Sequence, residues 1–196
     1  MKSKSLFLMI FIASFLNIAR PAFSQDLPCP PSEGYVADTV GLLNQETLQY
    51  VNNLIAKLDK LTTAQLAVVT IDSTTPETIE QYAILLFNDW EIGQADKDNG
   101  VLLLIAIKDR RLRIEIGYGL EDALTNDEAK YIIDEIIVPH FKEDNYIIGT
   151  VNGIEAIIDE ILESYGYSFD EIEEPRPDMP EGRNTEDIFY SGNCDI

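Results

Sequence analysis

Asp96-Lys97-Asp98-Asn99-Gly100 runs directly into Val101-Leu102-Leu103-Leu104-Ile105-Ala106-Ile107. Seven consecutive apolar residues without polar alternation predict a strand buried on both faces. Lys108-Asp109-Arg110-Arg111 interrupts, and Leu112-Arg113-Ile114-Glu115-Ile116 then alternates at period two, which predicts a strand with one covered face. Two strands across a short polar break predict an antiparallel hairpin. Folding it back sets the start of the first strand beside the end of the second. Asp98 and Asn99 then lie near Gly117-Tyr118-Gly119-Leu120-Glu121.

Upstream of the hairpin, Val36-Ala37-Asp38-Thr39-Val40-Gly41 leads to Leu42 and Leu43, and Asn44 is placed to cap a helix. Leu48, Val51, Ile55 and Leu58 recur at helical spacing, and Thr62-Thr63 breaks the pattern. Gln65 to Ile71 reads as a strand. Thr75 with Pro76 at the first helical position predicts the next helix start. Its apolar stripe is Ile79, Tyr82, Ala83, Leu86, Phe87 and Trp90, which makes Trp90 a core anchor; Gly93 ends the helix. Downstream, Thr125 and Glu128 fit a capping box, and Ala129, Ile132, Ile133 and Ile136 give one apolar face until Pro139 stops the helix. His140, the single histidine, reads as a surface or capping residue. A last helix runs from about Tyr146 to Tyr165. The segment from Ser168 onward, acidic and holding Pro175, Pro177 and Pro180, lacks periodicity and reads as a disordered tail over 168–196. The order of elements predicts an α/β fold, a three-layer α-β-α sandwich on a mixed central sheet, with a parallel pair across the Ala67 to Leu104 crossover.

The chain has 196 residues, 45% of them hydrophobic, and a formal charge of −21. That supports a packed core and argues against nucleic acid and anionic membranes as partners. Lys2 and Lys4, an apolar run from Leu6 to Ile18 and Ala22-Phe23-Ser24 make a signal peptide over 1–24, followed by a proline-bearing extended segment over 25–34. Its removal takes away three basic residues and no acidic one, so the mature charge becomes −24. The run is short for a span, so no stable membrane anchor is expected after cleavage, and the destination is periplasmic or secreted. Cys29 and Cys194 lie near the two ends of the mature chain; an end-to-end bridge and two separate thiols remain equal alternatives.

Enzyme signatures are negative: no nucleophile elbow, no P-loop, no zinc-protease helix. Asp96-Lys97-Asp98-Asn99-Gly100 superficially resembles an EF-hand loop. Its spacing is one residue short, however, and Ile107 stands where a bidentate Glu is required. An oxygen-rich cluster suited to a hard cation remains. The plain alternative is that Asp-Asn-Gly only turns into a strand, Asp38 only caps a loop, and the glycines only shape a loop exit.

Three runs weigh against the plain alternative. Phe87-Asn88-Asp89-Trp90-Glu91-Ile92-Gly93, Lys97 to Leu103, and Arg113-Ile114-Glu115-Ile116-Gly117-Tyr118-Gly119-Leu120-Glu121 together resemble the TPM domain family, as do Val36-Ala37-Asp38 and Ile137-Val138-Pro139 with Phe141. The family includes a thylakoid lumen protein of photosystem II repair and many bacterial secreted or tethered proteins. The resemblance spans about Tyr35 to Leu162, within a domain over 35–167. It implies an α-β-α sandwich that binds divalent cations, calcium before magnesium. Carried over by position, the metal ligands are Asp38, Asp98, Asn99 and Glu121. Two functions follow as expectations: an extracytoplasmic calcium-binding module that assists assembly or maintenance of an unidentified protein partner, or a metal-dependent acid phosphatase. The phosphatase needs cations for the phosphoryl oxygens. Lys97 is the one close in sequence; Arg113 faces the other side of its strand from Leu112 and Ile114, and without an evident phosphate clamp binding ranks first.

Overall fold

The apolar run forms an inner strand of a four-stranded sheet and is buried along its whole length. The computed structural model describes residues 34–179. Strand β1 is Val36–Asp38, β2 Gln65–Ile71, β3 Gly100–Ala106 and β4 Arg111–Ile116, in the spatial order β1-β2-β3-β4. The first three strands are parallel, and β4 returns antiparallel to β3 with Leu103 opposite Ile114. The sheet is mixed, as expected. β1 adds an edge strand that the sequence reading did not assign, because three residues are too few to display alternation.

Helix α1 is Gln45–Thr62, α2 Ile79–Asp89, α3 Asn126–Tyr131, α4 Val138–Lys142 and α5 Tyr146–Ser164. The two sheet faces bury separate clusters. Leu102, Leu104 and Val69 face α2, which contributes Ile79, Tyr82, Ala83 and Leu86. Leu66, Val68, Leu103 and Ile114 face the opposite layer, built by α1 and α5 with the α3–α4 segment. This is an α/β fold in three layers.

Asn44 caps α1 as expected, its Oδ1 accepting from Thr47 N at 2.8 Å. Thr125 and Glu128 form the expected reciprocal box, at 3.2 and 2.7 Å. The start of α2 differs. Thr75-Pro76 precedes the helix, and the cap is Thr78, whose hydroxyl accepts from Gln81 N while Gln81 Oε1 accepts from Thr78 N. A reciprocal box satisfies two orphan donors at once, and Thr75 has no counterpart for it. Pro139 does not stop its helix either. Ile132–Ile137 is a π segment that leads from α3 into α4, with Val138 N–H bonded to Ile133 O. A π turn loosens the backbone just where an α turn would set the proline ring against the carbonyl four residues back. His140 packs as a side chain between helices, its Nε2 at 3.0 Å from Asn152 Nδ2 on α5. Trp90 is only partly buried, at the rim of the α2 cluster.

The expected tail boundary at Ser168 is also corrected. Ile172 is 1% exposed in the main core, and Tyr167, Phe169 and Met179 pack beside it. Lys57 Nζ donates to Ile172 O at 3.0 Å and pairs with Glu174 at 2.9 Å. Arg176 pairs with Glu155 on α5 at 2.8 Å. Tyr167, Phe169 and Ile172 are spaced two and three apart, so no single period reveals them. The leader segment, Cys29, Cys194 and the rest of the acidic tail lie outside the described residues. Among the described residues no helix is long and apolar enough to cross a membrane.

Candidate functional site

The hairpin closes as its sequence demands. Gly117 N–H donates to Gly100 O at 2.8 Å, and Gly119 N–H donates to Asp98 O at 3.1 Å. A Cβ on Gly117 would lie 2.1 Å from Asp98 O, and one on Gly119 would lie 1.8 Å from Lys97 O. These two glycines are therefore required by backbone contact, which brings the Asp98 loop against the segment leading to Glu121. Asp98 itself sits in the left-handed region at φ 49°. Aspartate tolerates that region better than most side chains.

Asn99 is placed beside this site but not in it. It is 1% exposed, its Oδ1 accepts from Gln94 N at 2.9 Å, and its Nδ2 donates to Thr63 O at 2.7 Å. Its side chain is spent on tying the loop to the end of α1, and that tie holds Asp98 outward. Asp38 stands elsewhere. It pairs in register with Thr70, which pairs with Ile105, whereas the Asp98 loop precedes Gly100, the partner of Gln65. About five residues of strand separate the two levels, roughly 17 Å along the sheet. Asp38 accepts from Leu42 N at 2.9 Å, Leu43 N at 2.7 Å and the Thr70 hydroxyl, so it caps its own loop. Of the four expected ligands, Asp98 and Glu121 come together, and Asp38 and Asn99 do not join them.

Asp98 and Glu121 line a cleft of about 480 Å³ between α2 and β4. Ile84, Phe87 and Ile92 form its apolar side; Asn88 and Asn126 add amides. The sequence reading left the reach of Arg113 open and did not single out Glu115; both line the cleft. Both project from β4 toward α2, because Leu112, Ile114 and Ile116 take the other face. Arg113 donates from Nε and Nη2 to Glu115 Oε2 at 3.0 and 2.9 Å. The alternation of β4 already put these two side chains together; the position of α2 decides that they line the cleft. Neither Asp98 nor Glu121 takes part in an ion pair among the described residues. No group of three or more Asp, Glu, His or Cys side chains able to hold a metal occurs there either. Three carboxylates thus line the cleft, and with Glu115 engaged by Arg113 the donor set it presents to a cation is Asp98 and Glu121 with neighbouring amides.

Solved structures share this architecture. The N-terminal domain of a protein from P. gingivalis is 30% identical, covering 67% of this chain and 84% of that one, with a TM-score of 0.63. BA42 from the psychrophilic Bizionia argentinensis is 20% identical over 72% and 95% of the two chains, with a TM-score of 0.55. The N-terminal domain of cg2496 from Corynebacterium glutamicum is 13% identical over 71% and 85%, with a TM-score of 0.52. The last two likenesses concern the fold alone. No functionally curated protein matches the sequence. The model of the TPM domain matches residues 36–160, from β1 into α5, and so takes in the whole sheet, the glycine contacts and the cleft. With both strands of the hairpin and its closing glycines inside that match, the chain belongs to the TPM domain family.

Proposed function

We propose that this TPM domain binds a hard divalent cation, calcium before magnesium, in the cleft between α2 and β4. In this reading it serves outside the cytoplasm, in the periplasm or as a secreted protein, as a cation-dependent module that assists other proteins. The observation that carries the reading is that Asp98 and Glu121 line one cleft with no ion-pair partner among the described residues. Their oxygens, with the amide oxygens of Asn88 and Asn126, are the donor type such ions take. Two carboxylates free of an ion pair, with Glu115 held by Arg113, imply a weak site that keeps several waters, with a Kd on the order of 10⁻⁴–10⁻³ M. At ten times that Kd, binding to the folded state alone adds about 1–2 kcal/mol. The test is a thermal melt with calcium titrated against chelator. The expected result is a rise in Tm with calcium, a smaller one with magnesium, and loss of the rise in Asp98→Asn and Glu121→Gln. A wild-type melt indifferent to calcium would overturn the reading.

A second reading is supported by Arg113. Its guanidinium lines the same cleft as the two carboxylates, which supplies the cation that a phosphoryl group requires. A bound metal would supply charge neutralisation for that oxyanion, and Arg113, oriented by Glu115, would hold its oxygens. Turnover of a phosphomonoester by the purified chain, abolished in Arg113→Gln and Asp98→Asn, is the outcome this second reading expects. Absence of turnover across metals and pH values would leave binding alone.

A further inference from the structure

A second cleft, of about 490 Å³, opens at the opposite end of the sheet from Asp98. Its floor is the end of β3, Ile105 to Ile107. The carboxyl ends of parallel strands are where open α/β sheets most often receive ligands, and β3 runs parallel to β2 and β1. Leu112, Val138, Phe141 and Tyr146 form the apolar walls, with the Phe141 and Tyr146 rings tilted together at 5.0 Å.

The rim is cationic. Arg110 comes from the hairpin turn, Arg111 from the first position of β4 and Lys142 from the end of α4. The chain has 14 Lys and Arg against 35 Asp and Glu, so three basic side chains on one rim run against its composition. None of the three forms an ion pair among the described residues. The one carboxylate on the lining, Asp144, accepts from the Tyr146 hydroxyl at 3.4 Å. Burial holds the Tyr146 hydroxyl above the usual tyrosine range, as does Asp144, while the Arg110 guanidinium draws it back.

We propose that this cleft binds a small organic oxyanion carried on an aromatic or branched apolar body. A volume within roughly 300–1,000 Å³ suits one small molecule. The walls take the apolar part, and the planar forks of the arginines match a carboxylate or a phosphomonoester. The two chemistries share the oxyanion, and separate arms of the test distinguish them. The site is independent of the cation reading, since it shares no residue with the Asp98 cleft.

The experiment is an amide chemical-shift titration of the full chain. The probes are 3-phenylpropionate, phenyl phosphate, inorganic phosphate and benzyl alcohol. We expect saturable shifts confined to residues 105–112 and 138–146 with one or both of the amphipathic anions; the tighter one names the source. Inorganic phosphate and benzyl alcohol should bind at least about tenfold more weakly, because each supplies only half of the contacts. Arg110→Gln with Arg111→Gln should cost at least about tenfold in affinity. Lys142→Gln should weaken binding separately, from a different element. All three side chains are exposed, so a melt within a few degrees of wild type verifies each variant's fold. Shifts centred elsewhere, equal affinity for inorganic phosphate, or affinity unchanged in the double arginine variant would each overturn the proposal.

Discussion

Asp38 and Asp98 look alike in the sequence, each an aspartate beside a short apolar run, and the structure gives them opposite tasks. Asp38 receives two backbone amides and a hydroxyl, whereas Asp98 faces the cleft. Asp38→Ala should therefore destabilise the protein by about 1–3 kcal/mol, since it strips the amides of Leu42 and Leu43 of their acceptor. Its calcium-induced rise in Tm should stay at the wild-type size. Asp98→Asn should do the reverse, keeping the apo melt and losing the rise. Paired melts of the two variants, with and without calcium, check this; a calcium response lost from Asp38→Ala would place Asp38 back in the site. The hairpin made Asp98 and Glu121 legible, because antiparallel return is a local consequence of two strands and a turn. The register of β1 against β2 spans more than thirty residues of intervening chain, and no local pattern encodes it. Asn99 escaped for a related reason. Its partners are Gln94 N–H and the Thr63 carbonyl at the end of α1, a tertiary contact invisible to spacing.

At the scale of elements, β3 carries the argument for burial on both faces, and Leu103 lies within the larger cluster at 0% exposure. Leu103→Ala should cost about 2–5 kcal/mol, the range for emptying a packed site; a urea melt measures it, and a value near zero would mean the strand is not central. The turn after β3 holds through Asp109, which accepts from Ser73 Oγ at 2.7 Å and Thr74 N at 2.7 Å. Burial alone would push this carboxyl up, but the Ser73 and Thr74 donors together outweigh it and hold it below the usual aspartate value. A depressed folded value means stability present above the unfolded value, near 3.9, and lost as pH falls through the folded one. The gap in Tm between wild type and Asp109→Asn should thus be full at neutral pH and shrink below about pH 4. A gap independent of pH would mean the contact contributes only geometry. Helix interiors were legible from their stripes, and the helix ends less so. The sequence reading started α2 at Thr75-Pro76, whereas the observed cap is Thr78, marked by its reciprocal partner Gln81. The π segment before Pro139 left no mark on the apolar face.

For the molecule as a whole, the strap from Tyr167 to Arg176 shows how an acidic segment can still dock. The chain carries a strong net negative charge, yet Glu174 meets Lys57 and Arg176 meets Glu155. Exposed pairs of this kind contribute only about 0–1 kcal/mol each, so they select the path of the strap more than they hold it. The holding group is Ile172, buried at 1% beside α1 and α5. Glu155 also accepts from the Tyr50 hydroxyl at 2.8 Å, which joins α1, α5 and the strap in one network. Burial and that carboxylate push the Tyr50 hydroxyl well above the usual tyrosine range. Ile172→Ala should therefore cost about 2–5 kcal/mol and release the strap, while Arg176→Ala should cost less than about 1 kcal/mol. Amide hydrogen exchange reads both consequences. The amides of Ile172 and Glu173, bonded to the Phe169 carbonyl, should exchange slowly in wild type and in Arg176→Ala, and fast in Ile172→Ala. If they exchange fast in the wild type, the fold ends with α5, and the apolar residues that follow it are not part of the core.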